Sequence, residues 1–529
     1  MLNKIKRKLL IVFSIMIIVC SIPQIINAET THNVSDATEF LNAVSAINTN
    51  AGNHVISLQE DIDLLTVTEA IEFLQGNTTI LGNGNKIFNI KGFIVENFGT
   101  TLTLGNQAGN TLLIDGSYLG DNPKSLFDLF TNCELNMYEG VTISGRIRDD
   151  SSSEGVVISV GRSTFNMYGG SIKDCSHQNA VFSIHPMIRV YNNGEFNMSG
   201  GEITNNTVLC NSTSSGTYIY SAAIYVSTST INLTGGSITK NKIIFSSSEP
   251  YGYGAAICAF DSTLKISNME IKENEISGGN NGRGGAIYAR NTNIEIKNSV
   301  ITRNNVKLSD NIGEGGGIYA EESNLEIYNS LVAFNFASDG AADIYFYSHS
   351  GRKLYLPTAD AMNLKQATPY TVTITGWYKD AVLDRWNLSD PKAFTPLKNE
   401  SLSNENWLIA GYADSLYITY DSNGGNKTVY DCGIFSLATI KSAASLGISK
   451  EGYDFVSWNA SADGDGTTYE VNETLTISEP ITLYAQWKPS PVNPETGDIV
   501  NPTVFITLML LSGVGLIVIT KKAKKQDNK

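Results

Sequence analysis

The sequence predicts an all-β fold whose main body is a parallel β-helix. The first observation is a phrase, Phe-Asn-Met-x-Gly-Gly, that begins at Phe165 and again at Phe196 and continues in degenerate copies. The first apolar residues of the successive copies are Leu135, Phe165, Phe196, Ile231, Leu264, Ile294 and Leu325, at intervals of 30, 31, 35, 33, 30 and 31 residues. A nearly constant period in this range is typical of stacked repeats.

The second observation is the alternation of apolar and polar residues within each copy, as in residues 165–167 and 325–327. This is the periodicity of a strand with one buried face. Short strands, turns and a constant period predict coils in which each turn of the chain lies on the one before it. We therefore expect the first apolar residues of the copies to stack in one interior column.

Two further ladders fix the expected register. Six residues after the Gly or Asn of each turn comes a second turn residue, in the pairs Gly200/Asn206, Gly235/Asn241, Asn268/Asn274, Asn298/Asn304 and Asn329/Asn335, with Cys175 as the substitution after Gly169. Asn tolerates left-handed backbone, so stacked Asn turns are expected. The other ladder is a strand that begins with small residues, at residues 222–225, 255–258, 285–288, 316–319 and 342–345, where Gly and Ala suit a tight bend.

The Gly-Gly-Ala-Ile and Ile-x-x-Asn phrases resemble the repeats of polymorphic outer-membrane-type adhesins and of the pectate-lyase-like β-helix group. The second phrase is found at residues 203–206, 238–241, 271–274 and 301–304, and the resemblance covers residues 50–355. It implies a right-handed β-helix. For function it implies either an adhesin or a polysaccharide lyase or hydrolase.

Residues 29–356 are assigned to the β-helix and an N-terminal helix cap. Asp36 and Glu39 resemble a capping box, followed by a face of apolar residues at Phe40, Leu41, Val44 and Ile47. Such a helix would cover the open end of the coil, just before a first strand predicted at residues 55–58. Residues 357–412 lose the period and are assigned to a C-terminal cap and connector. Its three Trp residues are interpreted as core, with a sugar-stacking platform as the alternative.

Residues 413–488 are predicted to be a separate small β-rich, β-grasp-like module. The motifs Tyr-Asp-Ser-Asn-Gly-Gly from Tyr420, Gly-Tyr-Asp-Phe-Val-Ser-Trp from Gly452 and Leu-Tyr-Ala-Gln-Trp from Leu483 follow in order. They resemble the Listeria–Bacteroides (internalin B-type) repeat. That resemblance implies an extracellular spacer that sometimes contacts partners.

The N-terminal stretch predicts secretion. Residues 1–28 combine a basic start with an apolar run, as in a signal peptide, with cleavage after Ala28. Cys20 raises a lipoprotein alternative, which we disfavour because Val19 precedes it where lipoprotein signals carry Gly or Ala.

The C-terminal stretch predicts attachment to the cell wall. Residues 489–497 form a Pro-rich linker that ends in the motif Asn493, Pro494, Glu495, Thr496 and Gly497. An apolar run at 504–520, predicted to be a transmembrane helix, and a basic tail complete residues 498–529. This order resembles a sortase sorting signal, which implies cleavage after Thr496 and joining of its carbonyl to peptidoglycan. A protein that stays anchored in the membrane is the alternative.

Composition excludes several classes of function. The net charge is −15 and only 17% of residues are charged, which argues against nucleic acid as a partner. The five Cys outside the leader, Cys133, Cys175, Cys210, Cys258 and Cys432, are scattered, so we expect buried fillers and no disulfide framework. The sequence contains no set of residues at the spacing of metal ligands and no cofactor-binding motif. We therefore predict no bound metal and no cofactor, and we assign no catalytic residue.

Two functional hypotheses stay open. Asp261, Asn291 and Glu322 occupy equivalent turn positions on successive coils, with Arg290 and Arg303 nearby in sequence. If these groups converged, a polysaccharide lyase or hydrolase would follow. The alternative is that these residues are solvent-exposed turn residues without a catalytic role, and we favour it. The preferred hypothesis is therefore a cell-surface adhesin of a Gram-positive-type bacterium, displayed by sortase, that binds a host or environmental glycan or protein.

Overall fold

The computed structural model describes residues 29–118, 125–148, 157–178, 186–214, 216–308, 312–356, 374–379, 393–394, 404–412, 416–434, 437–476 and 481–490. In these residues the chain forms a parallel β-solenoid followed by a small module with a mixed sheet, so the prediction of stacked β coils is confirmed. The predicted signal peptide, the sorting motif and the predicted transmembrane helix lie outside the described residues. Within the described part, no helix combines the length and the apolar character needed to cross a membrane.

Each coil contributes strands to three long sheets, named A, B and C, and the later coils also contribute to two shorter sheets, D and E. Sheet A contains Thr30–Val34, Asn53–Leu58, Asn77–Leu81, Thr101–Leu104, Glu134–Met137, Thr164–Met167, Glu195–Met198, Thr230–Leu233, Thr263–Ser267, Asn293–Lys297, Asn324–Tyr328 and Leu354–Tyr355. Sheet B contains Ile62–Asp63, Lys86–Phe88, Leu112–Asp115, Val141–Ser144, Ser171–Lys173, Glu202–Thr204, Gly236–Thr239, Met269–Lys272, Val300–Thr302 and Leu331–Ala333.

Sheet C is extended at its C-terminal end by three antiparallel strands. It contains Ile71–Phe73, Phe93–Val95, Phe127–Phe130, Ile158–Gly161, Ile188–Tyr191, Ile224–Ser227, Ile257–Phe260, Ile287–Arg290, Ile318–Glu321, Ile344–Ser348, Asn404–Tyr412, Ile374–Lys379 and Ala393–Phe394. Sheet D contains Ile147–Arg148, Ser176–His177, Thr207–Cys210, Lys242–Phe245, Glu275–Ser277, Asn305–Lys307 and Phe336–Ala337. Sheet E contains Tyr218–Tyr220, Tyr251–Tyr253, Asn281–Arg283 and Ile312–Glu314.

The interior column predicted from the repeat is present in sheet A. Each of its residues is the register partner of the next, and all are at most 2% exposed: Leu135, Phe165, Phe196, Ile231, Leu264, Ile294 and Leu325. The rings of Phe165 and Phe196 are 4.9 Å apart and nearly parallel. The column forms because alternation turns the same position of every copy into the coil.

The Asn turns also stack. Asn268, Asn298 and Asn329 have the expected left-handed backbone, whereas the second residue of each predicted pair does not. The buried asparagine ladder, Asn206, Asn241, Asn274, Asn304 and Asn335, lies between sheets B and D, each amide donating to the next at 2.9–3.0 Å. The residue before each of them is left-handed, as at Asn205 and Lys240, and the ladder residues themselves are not. The bend falls one residue earlier because each ladder amide must point inward, where it also bonds to carbonyls of its own and the preceding coil.

The N-terminal end of the solenoid is covered by one helix, Ala37–Thr49. Asp36 accepts a hydrogen bond from the Glu39 backbone, as in the predicted capping box. Glu39 in turn accepts one from the backbone of Ser35, the residue before the N-cap. Leu41, expected on the apolar face, is 38% exposed. The strand Thr30–Val34 was missed and precedes the helix as the edge of sheet A. Its short polar sequence has no strand signal of its own.

The C-terminal end is covered by the strand Asn404–Tyr412, which pairs antiparallel with Ile344–Ser348 and buries Leu408 and Ala410. Trp407 contacts Tyr345, with ring centroids 5.8 Å apart. This contact agrees with the interpretation of Trp407 as core. The side chains of the other two Trp residues in this region lie outside the described residues.

An aromatic cluster lies outside the coil, in the angle between sheets C and E. Its members are Tyr218, Tyr220, Tyr225, Tyr251, Tyr253, Phe260, Tyr288, Tyr319, Tyr345 and Tyr347. Tyr319 and Tyr345 are stacked at 4.2 Å, and the Tyr288 hydroxyl donates to Glu321. The cluster buries most of its own surface, so we interpret it as a second core.

The module begins at Leu416 and has its own core around the buried Trp458 and Tyr420. Its sheet has the order Val429–Ile434, Leu416–Asp421, Ile481–Pro489, Tyr453–Asn459 and Thr468–Tyr469, with the second and third strands parallel. An antiparallel pair of strands, Leu437–Thr439 and Thr474–Thr476, and a 3₁₀ turn at Ala444–Leu446 complete it.

Candidate binding face of sheet A

The outer surface of sheet A is the candidate functional site, in the coils that carry the Gly-Gly phrase. The glycines allow neighbouring coils to approach closely there. A Cβ at Gly200 would lie 2.5 Å from the Tyr168 carbonyl oxygen, and Gly201 has a left-handed φ of 85°. Only glycine suits both positions. Side chains from adjacent copies are therefore held in columns one coil apart, about 4.8 Å.

One column of this face is the outer asparagine ladder, formed by Asn136, Asn166, Asn197 and Asn232. Each side-chain amide donates to the carbonyl oxygen of the preceding member, at distances of 3.0, 3.0 and 2.8 Å. Two carboxylates flank the ladder, because Glu134 accepts from Asn166 at 3.1 Å and Glu195 accepts from Asn232 at 3.0 Å. The result is a fixed row of polar groups on the outer surface of sheet A.

A second column begins with two stacked tyrosines. The rings of Tyr138 and Tyr168 are 4.8 Å apart at an angle of 28°, and Tyr168 is 45% exposed. Burial, and next the neighbouring Tyr138 and Glu134, raise the pKa of Tyr168, so its hydroxyl is neutral at physiological pH. Ser199 and Thr234, both exposed, follow Tyr168 in this column.

A shallow polar groove adjoins the face at the bend from sheet C. Glu134, Glu195 and Thr164 line it from the sheet, and Arg162 and Asn193 line it from the bend. Arg162 and Asn193 both have left-handed backbone, with φ of 51° and 62°. The groove thus brings two carboxylates and one guanidinium to one edge of the face. Sequence reasoning missed this grouping, although the Glu residues at 134 and 195 lie at equivalent positions of two copies.

The predicted candidates at turn positions are brought together only in part. Asp261, Asn291 and Glu322 occupy equivalent left-handed bends between sheets C and A, as expected. Arg290 ends the sheet C strand beside them and faces Glu321 at 3.8 Å. Arg303, in contrast, lies in the bend between sheets B and D. Closeness in sequence therefore does not bring Arg303 to this group, because the coil carries Asn291 and Arg303, 12 positions apart, to different edges.

Glu322 has a structural role at the C-terminal end of the solenoid. Its carboxylate accepts hydrogen bonds from the Ser350 hydroxyl, from the backbone of His349 and Ser350, and from the Ser348 hydroxyl. These donors lower the pKa of Glu322 to about 2, with the Ser350 hydroxyl as the largest cause. Glu322 therefore fastens the loop at 348–350 to the coil before it.

The remaining residues singled out in the sequence are the cysteines and the residues of the sorting and cleavage signals. Four of the cysteines, Cys133, Cys175, Cys210 and Cys258, are buried with free thiols, as expected of fillers. No group of three metal-ligating side chains occurs in the part of the chain that the structure describes. The sorting residues Asn493 to Gly497 and the cleavage residue Ala28 lie outside it, and the side chain of Cys432 does too.

The fold defines this chain as a β-solenoid repeat protein with an appended β module. Residues 417–486 match the family model of the Listeria-Bacteroides repeat domain, which confirms the resemblance seen in the sequence. That match covers only the appended module.

Two proteins of Evansella cellulosilytica are similar to parts of the chain. One, provisionally described as a membrane protein, is 32% identical over 116 residues, which cover 21% of this chain and 16% of that protein. The other, provisionally described as a Gly-rich membrane protein, is 50% identical over 40 residues, covering 7% of this chain and 5% of that protein. The chain thus spans less than a fifth of either relative. No solved structure matches it significantly.

Proposed function

We propose that this chain is a cell-surface adhesin that binds glycans or proteins through the outer face of its solenoid. The observation that carries the proposal is the outer asparagine ladder, flanked by Glu134, Glu195 and the exposed Tyr168. Amide, carboxylate and phenol groups at fixed spacing offer hydrogen bonds and stacking to a ligand that lies along the sheet. Each contact is weak, and display of many copies on one surface would add avidity.

Display on the cell wall by sortase is part of the proposal. The relatives provisionally described as membrane proteins and the Listeria-Bacteroides repeat support a surface location. The sorting motif, the apolar run and the basic tail support a membrane-anchored precursor whose Thr496 carbonyl is transferred to peptidoglycan. In this arrangement the module and the Pro-rich linker hold the solenoid away from the wall.

The test is binding of the purified full chain to an array of glycans and host matrix proteins. We expect retention on at least one class of ligand and weaker retention after Asn197→Ala combined with Asn232→Ala. A matched control is Asn324→Ala, which removes a half-buried amide of sheet A three coils beyond the ladder. Absence of any ligand, or equal loss in the control, would overturn the proposal.

A polysaccharide lyase or hydrolase is the second candidate, and the polar groove favours it. Glu134 and Glu195 are separated by one intervening coil, about 10 Å at the backbone. This is close to the separation of two carboxyl groups in inverting glycosidases. Incubation with pectin, alginate and neutral glycans decides between the candidates. Release of reducing ends or unsaturated sugars that stops in Glu134→Gln or Glu195→Gln would establish an enzyme.

A further inference from the structure

We propose that the open face of the Tyr168 ring is a stacking site for one pyranose unit of a neutral glycan. This inference rests on the proposed function and names its ligand class. In a ladder of stacked rings only the edges meet solvent, except at the end of the stack, where one face is uncovered. Tyr138 covers one face of Tyr168, and the next residue of the column is Ser199, whose side chain is too small to cover the other.

The strip of sheet surface beside Tyr168 is long enough to hold one sugar ring. Two successive small residues, Ser199 and Thr234, follow it in the column and both are exposed. At about 4.8 Å per coil they leave a strip on the order of 10 Å long on the sheet. A pyranose with equatorial hydroxyls has two apolar faces, and one of them could lie against the Tyr168 ring while its edge rests on the two hydroxyl side chains.

The adjacent column supplies polar groups that the ladder leaves unused. The Asn197 amide donates one of its two hydrogens, to Asn166. Asn232 donates both of its amide hydrogens, to Asn197 and Glu195, while its own carbonyl oxygen has no partner among the described residues. One donor and one acceptor therefore lie beside the strip, and a sugar hydroxyl is able to bond with either.

Charge selects a neutral ligand. Glu134 and Glu195 line the far side of the outer asparagine ladder from this strip, and the chain has a net charge of −15. A uronate or sulfated sugar that contacts the ladder would be repelled by these carboxylates, and like-charge contacts cost binding free energy. Neutral hexopyranose chains are therefore the ligand class that this site fits.

Tyr328 provides the matched control because it occupies the same column with both ring faces covered. Lys297 of the preceding coil lies over its ring at 5.3 Å, and Tyr355 packs on it at 4.7 Å. Its hydroxyl donates to Glu326 at 2.6 Å. Loss of this ring removes similar aromatic surface from sheet A without removing an open stacking face.

The test measures binding of the purified full chain to cellohexaose, xylohexaose and hexagalacturonate by calorimetry, with saturation-transfer NMR to map the contacted protons. We expect a neutral hexasaccharide to bind, hexagalacturonate to bind less, and Tyr168→Ala to weaken binding roughly tenfold. Tyr168→Trp should retain it, and Tyr328→Ala should leave it unchanged. Melting curves confirm that each variant is folded.

The outcomes separate this inference from the proposed function. Failure of both neutral hexasaccharides to bind, or equal affinity of parent and Tyr168→Ala, would overturn the stacking site. If Tyr168→Ala still binds its array ligands as the parent does, the adhesin proposal stands without this site. If the parent binds nothing on the array either, both proposals fail.

Discussion

Asp343 accepts two hydrogen bonds from Asn335 through one oxygen, 3.0 Å from the side-chain nitrogen and 3.1 Å from the backbone nitrogen. Its other oxygen accepts from the Ala410 backbone at 2.8 Å. The buried asparagine ladder thus ends on a carboxylate that also bonds to the strand covering the coil. Through this residue the repeat is joined to its cap, and the last ladder amide is satisfied without water.

Removal of one member of the buried ladder should destabilise the solenoid strongly. Asn274 accepts from the backbone and side chain of Asn241 and donates to Asn304 and to the Ile238 carbonyl. Asn274→Ala leaves several buried polar groups without partners, at about 1–3 kcal/mol each. We expect a loss of roughly 3 kcal/mol or more in the free energy of unfolding, measured by urea denaturation. Asn293→Ala, which removes a single exposed hydrogen bond, should cost less than about 1 kcal/mol.

The interior column should not tolerate a charge. Phe196 is fully buried and stacked on Phe165, so Phe196→Asp places a carboxylate in the apolar core. We expect a loss of several kcal/mol or failure to fold, seen as loss of the cooperative thermal transition. Phe196→Leu keeps an apolar side chain and should cost only about 1–2 kcal/mol. Equal stability of the Asp and Leu variants would contradict the register.

The aromatic cluster between sheets C and E should make the protein sensitive to alkali. Burial raises the pKa of Tyr225 to about 12 and raises the pKa of Tyr288 further, with Glu321 as the next cause for Tyr288. An unfolded Tyr ionises near pH 10, so these groups contribute stability that is complete below that pH and is lost as the pH rises above it. Melting temperatures between pH 9 and 12 should therefore fall.

Tyr288→Phe tests that argument, because phenylalanine cannot ionise. The variant should be slightly less stable than the parent at pH 7, where it lacks the hydrogen bond to Glu321, and should lose less stability between pH 9 and 12. Tyr218→Phe changes a residue that is 39% exposed and should follow the parent curve. A parent whose stability does not change up to pH 12 would show that the cluster is not buried.

Wall attachment is tested by Thr496→Ala. The sorting hypothesis places the acyl transfer at the Thr496 carbonyl, so the variant should remain in the membrane or appear in the medium. Muralytic digestion of cell walls followed by immunoblotting measures the linked fraction, with Ser490→Ala as a control outside the motif. Equal amounts of wall-linked parent and Thr496→Ala would refute the hypothesis.

The amino-acid sequence was sufficient to predict the coil, its period and its interior column. Alternation and spacing are local properties of the chain, and residues such as Phe165 and Phe196 carry them at every copy. It also determined the module at 417–486, whose turn and Trp motifs are contiguous. The capping box at Asp36 and Glu39 was visible for the same reason, since both partners lie within one helical turn.

Which side chains remain accessible to a ligand could be read only from the folded stack. Whether Tyr168 or Tyr328 presents a free ring face depends on a neighbour about 30 residues further along the chain. That neighbour is the small Ser199 for Tyr168 and the large Tyr355 for Tyr328. The same holds for Arg303, which the coil carries to another edge, and for Asp343, whose bond to Ala410 spans 67 residues. Burial and hydrogen bonding across coils are set by register, and register is a property of the folded stack.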